Sequence, residues 1–584
     1  MASLLQAWRE LSRNDQVLLF FLAVVIGTMA GYGALAFRGL VFGLQFLLYG
    51  NSADFIASHA ARLPWWQILT VPTAGGLVIG LFTHYVMPGR LPQGVADVLA
   101  ASALRNGRMS IREGLAAAAV SIGSLGCGAS VGREGPIVHL GATFASKVAQ
   151  RLHLSPSLAK TLLGCGVAAG IASAFNAPIA GVFFALEVVV GHYGIGAFSP
   201  IVISSVIGTV ITRLHIGDAA AFVLPPQQVT SFWELPAFMI LGMVCAIAAL
   251  GMLKGIALVQ VIHERINVAR WLRPAVAGLM VGAIALFWPE VLGVGYEATD
   301  NALKGSYGLQ LLILLAFAKA VATVICLGSG FGGGIFSPSL VLGAMVGSAY
   351  GLIAVGVFPN LGSSTSVYAL LAMAAIAACT LGAPISTIIM VFELTADYGI
   401  TFALMVTVAI AAIICRQLHW HSFFSWQLLQ RGIDLDARHD QGVMASRTVA
   451  EIMREEVVTV SLDADLDLLK SEFLHRHLPI FVVDDAGRLV GSIHFEDLAD
   501  AAFEPDQATR RTARDLVHRL PSALTPADNL EKALRICESE HEEHMPVVND
   551  EASMEVVAEI RLSDLLLAQN RALLEARAVE RGTV

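Results

Sequence analysis

The chain has 584 residues, of which 56% are hydrophobic and 14% are charged, and its mean hydropathy is +0.68. An ordinary soluble domain carries roughly 25% charged residues, so the composition excludes a purely soluble protein and indicates a multi-pass membrane protein. The net charge of -9 argues against a nucleic-acid-binding protein. The seven cysteines lack metal-ligand spacing, and no metal site is predicted.

The first elements predicted along the chain are helices. Residues 1–14 predict an amphipathic helix at the membrane interface, because they are amphipathic and no small-residue cleavage site follows. Apolar stretches of spanning length then recur as far as Cys415, for example residues 17–36, 235–253 and 309–327. Many contain Gly or Pro, which predicts helices that break or stop partway through the membrane.

Residues 123–136, G-S-L-G-C-G-A-S-V-G-R-E-G-P, place Arg133 and Glu134 in apolar surroundings. An ionisable group at membrane depth usually faces a cavity or marks an ion path. Pro136 suits the first turn of a helix, and a helix N-terminus attracts anions. Glu134 is therefore predicted to compete with an anion for one place. The alternative is an Arg133/Glu134 pair at the membrane surface with no role in transport.

The apolar region contains an internal repeat. The matched pairs are Gly132/Gly334, Pro136/Pro338, Pro178/Pro384 and Glu187/Glu393. The first two pairs are 202 residues apart and the last two are 206 residues apart. Such repeats with interrupted helices predict a substrate site where the two halves meet, with helix N-termini from both halves facing one ion.

The composition changes near Arg431, after which charged residues alternate with short strand-like runs typical of a soluble α/β domain. Residues 477–498 and 544–565 follow one pattern of strand, turn, strand and helix start. A second duplication is therefore predicted. Residues 569–581 are charged and predict a further helix.

Three motifs resemble those of one known family. They are G-R-E-G-P at 132–136, F-N-A-P at 175–178 and L-G-S-G-F-G-G-G-I-F-S-P at 327–338. Together they resemble the signatures of the CLC chloride channels and chloride/proton antiporters, and the soluble region resembles a pair of CBS repeats. The resemblance implies an all-α multi-pass membrane domain of two inverted repeats with broken or re-entrant helices, plus a cytosolic α/β CBS-pair domain. It also implies a homodimer in the lipid bilayer that is a channel or transporter and not an enzyme. The implied location is the cell membrane, with the CBS domain in the cytoplasm.

The resemblance also sets the expected domain boundaries. A CLC-type transmembrane anion-transport domain is expected at residues 1–431, and a linker at residues 432–446. CBS repeat 1 is expected at residues 447–503. CBS repeat 2 and the helical tail are expected at residues 504–584.

The resemblance assigns roles to individual residues around chloride or a similar anion. Glu134 matches the gating glutamate, which occupies an anion site when deprotonated and moves away when protonated. Ile335, Phe336 and Gly135 match backbone anion-binding positions, although glycines at 332–334 also serve tight packing. Gln93 stands at the position of an anion-binding serine, where its amide either donates to chloride or points away. Phe424 replaces a tyrosine, which removes one hydrogen bond of roughly 1 kcal/mol.

Proton coupling depends on two adjacent positions. In proton-coupled members two acids follow the N-A-P motif, and here they match Glu187 and Val188. Because valine carries no proton, passive anion conduction or weak coupling is predicted. The alternatives are a chloride/proton antiporter with another internal proton route, and a CBS-regulated transporter of a different ion. Glu187 is either a partner at a helix end or a substitute proton donor. Lys319 either adds positive potential to the path or extends to a lipid headgroup.

Adenine nucleotide is the candidate ligand of the CBS pair. Asp497 and Asp564 match aspartates that bind ribose in nucleotide-binding members, but His494 and Arg561 replace the hydroxyl residue that meets phosphate. The alternative is that both aspartates only cap helices.

Overall fold

The computed structural model describes residues 15–50, 56–191, 193–217, 232–359, 363–395, 398–418, 421–433, 447–476, 480–494, 497–498, 512–517, 522–540, 542–550 and 552–568. The predicted interfacial helix at 1–14 and the predicted tail helix at 569–581 lie outside these ranges. Of the predicted linker, only residues 432 and 433 are described. The chain divides into two compact units between Ile433 and Asp434, and each is considered by itself.

The first unit is helical throughout its described part. Its helices are α1 Asp15–Tyr49, α2 Ile56–Ala60, α3 Trp65–Val86, α4 Val95–Leu104, α5 Ile111–Gly126, α6 Glu134–Arg151, α7 Pro156–Phe175, α8 Pro178–Phe184, α9 Ile195–Ile216, α10 Leu235–Arg265, α11 Arg273–Ala285, α12 Tyr296–Leu303, α13 Leu309–Gly328, α14 Phe336–Val357, α15 Thr365–Leu381, α16 Pro384–Thr395, α17 Tyr398–Gln417 and α18 Phe423–Leu429. A π-helical segment, Ala185–Val190, continues α8. In the described residues, eight helices are long and apolar enough to cross a membrane, and others such as α4 are apolar but short. The predicted multi-pass helical fold with interrupted helices is confirmed.

Two glycine-rich loops bring the N-termini of α6 and α14 together. Gly132 donates its N–H to the Gly334 carbonyl over 2.7 Å, and Gly334 donates to the Gly132 carbonyl over 2.8 Å. A Cβ on Gly135 would lie 3.1 Å from the Gly334 Cα, so the two backbones approach closely because neither position carries a side chain. The repeat positions inferred from sequence therefore contact each other directly, as approximate two-fold symmetry between the halves requires.

The same symmetry appears in a reciprocal pair of helix caps. Glu187 accepts the N–H groups of Ile385 and Ser386, at the start of α16, over 3.1 and 2.8 Å. Its counterpart Glu393 accepts the N–H groups of residues 179 and 180, at the start of α8, over 2.9 and 2.7 Å. A carboxylate at a helix N-terminus satisfies unpaired donors and complements the helix dipole. The contacts of Glu187 are thus those of a partner at a helix end.

The second unit is a small α/β unit. Its described elements are β1 Thr459–Ser461, α19 Leu466–Arg476, β2 Ile480–Val483, β3 Leu489–Ile493, α20 Ala513–Leu516, α21 Leu530–Glu540, β4 His544–Val548 and β5 Val556–Arg561. Strand β2 pairs in parallel with β1 and antiparallel with β3, while β4 and β5 form a second antiparallel pair. Two equivalent hairpins confirm the predicted α/β duplication.

Candidate anion site

A narrow cavity lies where α6 and α14 begin, and its free volume is about 10 Å³, roughly that of one water-sized sphere. Five of its lining residues were predicted from sequence, namely Glu134, Gly135, Ile335, Phe336 and Phe424. The remaining lining residues are Val95, Val138, Ile171, Phe184, Gly334 and Leu381. Residues from both halves and from the last helix of the unit therefore meet around a space suited to one small ion.

The electrostatics of this cavity favour an anion. The first N–H groups of α6 and α14 have no partner within their own helices, and each helix N-terminus carries a partial positive charge. Ile335 is the residue preceding the first turn of α14, and Phe336 opens that helix. Among the described lining residues only Glu134 carries a charge, so its carboxylate and an external anion compete for the same positive region.

Glu134 is buried, with 1% of its surface exposed, and it opens α6. Its Oε1 accepts a hydrogen bond from the Tyr296 hydroxyl over 3.1 Å and a short one from the Ser337 hydroxyl. Its Oε2 has no hydrogen-bond partner among the described residues. One oxygen is therefore held in place while the other lies unpaired in a buried site.

Tyr296 and Ser337 are site residues that the sequence did not single out. Tyr296 opens α12 directly after Gly295, whose φ of 91° lies in the left-handed region that favours glycine. The Arg133 guanidinium lies 4.6 Å from the centre of the Tyr296 ring, which is a cation–π contact. Ser337 follows Phe336 in the repeated motif, so that motif offered one signal. Tyr296 lies 162 residues from Glu134, and no local pattern links them.

Lys319 holds the loop that carries Tyr296. It is 2% exposed, and its Nζ donates to the carbonyl oxygens of Val291 and Gly293 over 3.0 and 2.8 Å. Extension to a lipid headgroup is therefore wrong for this lysine. Its ammonium fixes the backbone two and four residues before Gly295, in the loop that leads to Tyr296.

The structure corrects the placement of Gln93. Its side-chain N–H₂ group donates to Glu113 over 3.0 Å, and Gln93 is absent from the described cavity lining. Val95, two residues later at the start of α4, reaches the cavity instead. The nearby carboxylate of Glu113 turns the amide away because an amide N–H binds a charged acceptor more strongly than a neutral one.

Phe424 lines the cavity, whereas the predicted proton positions, Glu187 and Val188, do not belong to its described lining. Phe424 is 4% exposed and lines it, which places an apolar ring without a hydroxyl at the predicted inner side. Glu187 and Val188 are absent from the described lining and lie in the π-helical segment that follows Phe184. The Glu187 carboxylate instead accepts hydrogen bonds from the first N–H groups of α16.

We predict that Tyr296→Phe increases chloride efflux at neutral pH. The variant removes one hydroxyl donor to Glu134 Oε1. A hydrogen bond to a charged group contributes roughly 1.5 kcal/mol or more, so efflux should rise about tenfold. The measurement is chloride efflux from proteoliposomes. Tyr350→Phe is the matched control, because the Tyr350 hydroxyl donates to the Ala237 carbonyl and not to Glu134. Equal efflux from both variants would show that Tyr296 does not restrain the carboxylate.

In the second unit, the predicted nucleotide residues already have protein partners. Asp564 accepts two hydrogen bonds from Arg454, over 2.7 and 2.9 Å. Arg561 donates to Glu559 over 2.8 Å. In the other repeat, Asp497 accepts the His494 N–H over 2.9 Å, and the His494 ring lies 3.3 Å from the Ser492 hydroxyl. Adenine nucleotide binding stays a prediction, and at Asp564 a nucleotide would have to displace Arg454.

We predict that Asp564→Asn lowers thermal stability near neutral pH but has little effect in strong acid. The hydrogen bonds from Arg454 hold the pKa of the Asp564 carboxyl below the ordinary value of 3.8. A lowered folded-state pKa stabilises the fold above the ordinary value, and that contribution is lost as pH falls through the lowered pKa. The measurement is thermal unfolding of the full chain at a series of pH values from neutral pH to strong acid. Asp463→Asn is the control, because Asp463 is exposed and lies 3.7 Å from Arg514. A difference that persists in strong acid would contradict the ion-pair explanation.

The fold and the site define a multi-pass membrane protein whose two halves meet around an anion-attracting cavity. The family model described as voltage gated chloride channel matches residues 75–416, and the model described as CBS domain matches residues 449–504. The chain belongs to the voltage gated chloride channel family, known as CLC, and carries a C-terminal CBS region.

Relatives of both transport types are similar to this chain. A ClcB-like chloride channel protein of Ralstonia nicotianae is 36% identical over 388 residues, which are 66% of this chain and 90% of that protein. The H(+)/Cl(-) exchange transporter ClcA of Vibrio parahaemolyticus is 28% identical over 432 residues, which are 72% of this chain and 91% of that protein. The crystal structure of a slow cyanobacterial Cl-/H+ antiporter matches with a TM-score of 0.64 at 22% identity, covering 72% of this chain and 99% of that one.

Proposed function

We propose that this protein passes chloride and similar anions across a membrane through the cavity at the start of α6 and α14, and that Glu134 gates this pathway. The observation that carries the proposal is the buried Glu134 carboxylate, which lines the cavity with one oxygen unpaired among the described residues. A deprotonated Glu134 competes with the anion for the two helix N-termini. Protonation removes that competition.

We further propose that transport is channel-like or weakly coupled to protons. Val188 supports this, because an apolar side chain stands at the predicted internal proton position. The caps formed by Glu187 support it as well, since both carboxylate oxygens accept backbone N–H groups of α16. The alternative is a chloride/proton antiporter with another internal proton route, and the similarity to the exchange transporter of Vibrio parahaemolyticus supports that alternative.

The deciding experiment records chloride efflux from proteoliposomes with a pH electrode in the same cuvette, for the wild type and for Glu134→Ala. Chloride efflux without uphill proton movement, made faster in Glu134→Ala, supports the uncoupled gate. Proton uptake driven by a chloride gradient and abolished in Glu134→Ala would instead establish antiport. Unchanged chloride efflux in Glu134→Ala would remove Glu134 from the pathway.

We also propose the assembly and location that membership of the family implies. Each subunit of a homodimer would hold its own pathway in the cell membrane, with the CBS region in the cytoplasm. Cross-linking of the purified protein tests the dimer, and protease accessibility of the CBS region in sealed vesicles tests the orientation.

A further inference from the structure

A second cavity, of about 230 Å³, lies in the membrane unit at the ends of three spanning helices. Thr83 and His84 come from the last turn of α3, Glu264 from the last turn of α10, and Gly328 from the end of α13. Because spanning helices end at the membrane surface, this cavity lies at the boundary between lipid and water. We call it the basic cavity.

The basic cavity is strongly cationic. Its arginines are Arg90, Arg270, Arg273 and Arg431. Against them stands one carboxylate among the described lining residues, that of Glu264. A guanidinium is planar, is always charged and presents paired donors that match the oxygens of a phosphate group. The cavity is also far larger than the single-ion site at Glu134, so it has room for a polyatomic anion.

Two of the four guanidinium groups have protein partners that account for part of their donors. Arg431 donates to Asp97 over 2.6 Å, and the Arg273 Nε donates to the Val268 carbonyl over 3.0 Å. Arg90 and Arg270 form no ion pair with any residue in the described ranges. Arg90 also has a φ of 57°, in the left-handed region that non-glycine residues seldom adopt. Arg90 and Arg270 are exposed, and with four guanidinium groups against one carboxylate the described lining keeps a net positive charge.

Unpaired buried atoms give an independent sign of a ligand. Thr83 is 5% exposed, and its Oγ1 has no hydrogen-bond partner among the described residues. The same holds for the buried Nδ1 atom of His84. Burying a polar atom without a partner is unfavourable, so native structures usually satisfy such atoms with water or a ligand. Both residues line the basic cavity.

We propose that the basic cavity binds a phosphate group, carried either by the headgroup of an anionic lipid or by a free phosphate compound. Basic pockets between spanning helices are suited to phosphate headgroups. A ligand there would contact Pro92 and Gln427, which lie one residue before Gln93 and three residues after Phe424. The proposal does not depend on Glu134 or on the transport mechanism.

Isothermal titration calorimetry on the purified full-length chain tests the proposal, at constant chloride concentration. The probes are inorganic pyrophosphate and the short-chain lipid dioctanoyl phosphatidic acid. We expect saturable binding of at least one probe. The Kd of that probe should increase about tenfold or more in the double variant Arg90→Gln/Arg270→Gln. The matched control, Arg112→Gln/Arg151→Gln, removes two exposed arginines outside the cavity lining and should leave the Kd within about twofold of the wild type.

The two probes distinguish the source of the phosphate. Binding of pyrophosphate indicates a free phosphate ligand, and binding of phosphatidic acid alone indicates a lipid headgroup. Saturable binding of neither probe overturns the proposal, as does an equal loss of affinity in the test and control variants.

Thr83→Val provides a second test, which can be carried out even if the double arginine variant does not fold. Removing an unpaired buried hydroxyl should raise the melting temperature of the ligand-free protein, while the Kd of the bound probe should increase roughly fivefold. A merely structural threonine would not move these two quantities in these directions. An unchanged Kd would exclude Thr83 and the cavity around it as the phosphate site.

Discussion

Glu134→Gln is expected to make chloride efflux nearly independent of pH, whereas efflux through the wild type rises as pH falls. Glutamine has the size of glutamate but no negative charge at any pH, so it cannot compete with an anion at the starts of α6 and α14. Two hydroxyl donors hold the wild-type carboxylate, from Tyr296 and Ser337. Hydrogen bonds to a charged group contribute roughly 1.5–3 kcal/mol each, which corresponds to a change in efflux of about tenfold or more.

The measurement is chloride efflux from proteoliposomes at a series of pH values. Glu234→Gln is the control, because this buried glutamate accepts hydrogen bonds from Ser363 and Tyr368 and is absent from the described cavity lining. A wild-type pH profile retained in Glu134→Gln would show that another titrating group controls the pathway.

Lys319→Met should produce the second large effect, a loss of thermal stability together with faster chloride efflux. The variant leaves the buried carbonyl oxygens of Val291 and Gly293 without their lysine donor. Each unsatisfied buried acceptor costs about 1–3 kcal/mol. Because the loop that precedes Tyr296 is then less well fixed, efflux should also rise toward that of Tyr296→Phe.

Thermal unfolding and chloride efflux of the same preparations measure both parts. Lys304→Met is the matched control, since Lys304 is exposed and paired with Asp300 at the surface, where such a pair contributes about 0–1 kcal/mol. Lys319→Met with the melting temperature of the control would contradict the structural role of Lys319.

The sequence carried enough information to predict the repeat and the residues that meet at its centre. Glycines at 132 and 334 and prolines shortly after them mark helix starts, and their equal spacing predicts that both starts face one site. This prediction works because each signal is local. Close approach of two backbones requires glycine, and the first turn of a helix accepts proline.

Side-chain partners chosen over long distances could not be predicted in the same way. Tyr296 reaches Glu134 from a loop whose carbonyl groups Lys319 binds, and neither residue has a local pattern that predicts its partner. For Gln93 the sequence left two orientations open, and the structure has the amide pointing away from the cavity, toward Glu113. The sequence also left two roles open for Glu187, and the backbone N–H groups that it caps lie 198 and 199 residues away.

The exchange of caps between the two halves also bears on how the protein is made. Ile179 reaches its cap, Glu393, only after a further 214 residues have been added. At roughly 5–20 residues per second, translation leaves α8 uncapped for about 10–40 s. During that interval the N–H groups at the start of α8 lack the carboxylate that caps them in the complete fold. A nascent chain that stops before Glu393 therefore lacks the carboxylate that accepts the N–H groups of Ile179 and Ala180 in the complete fold.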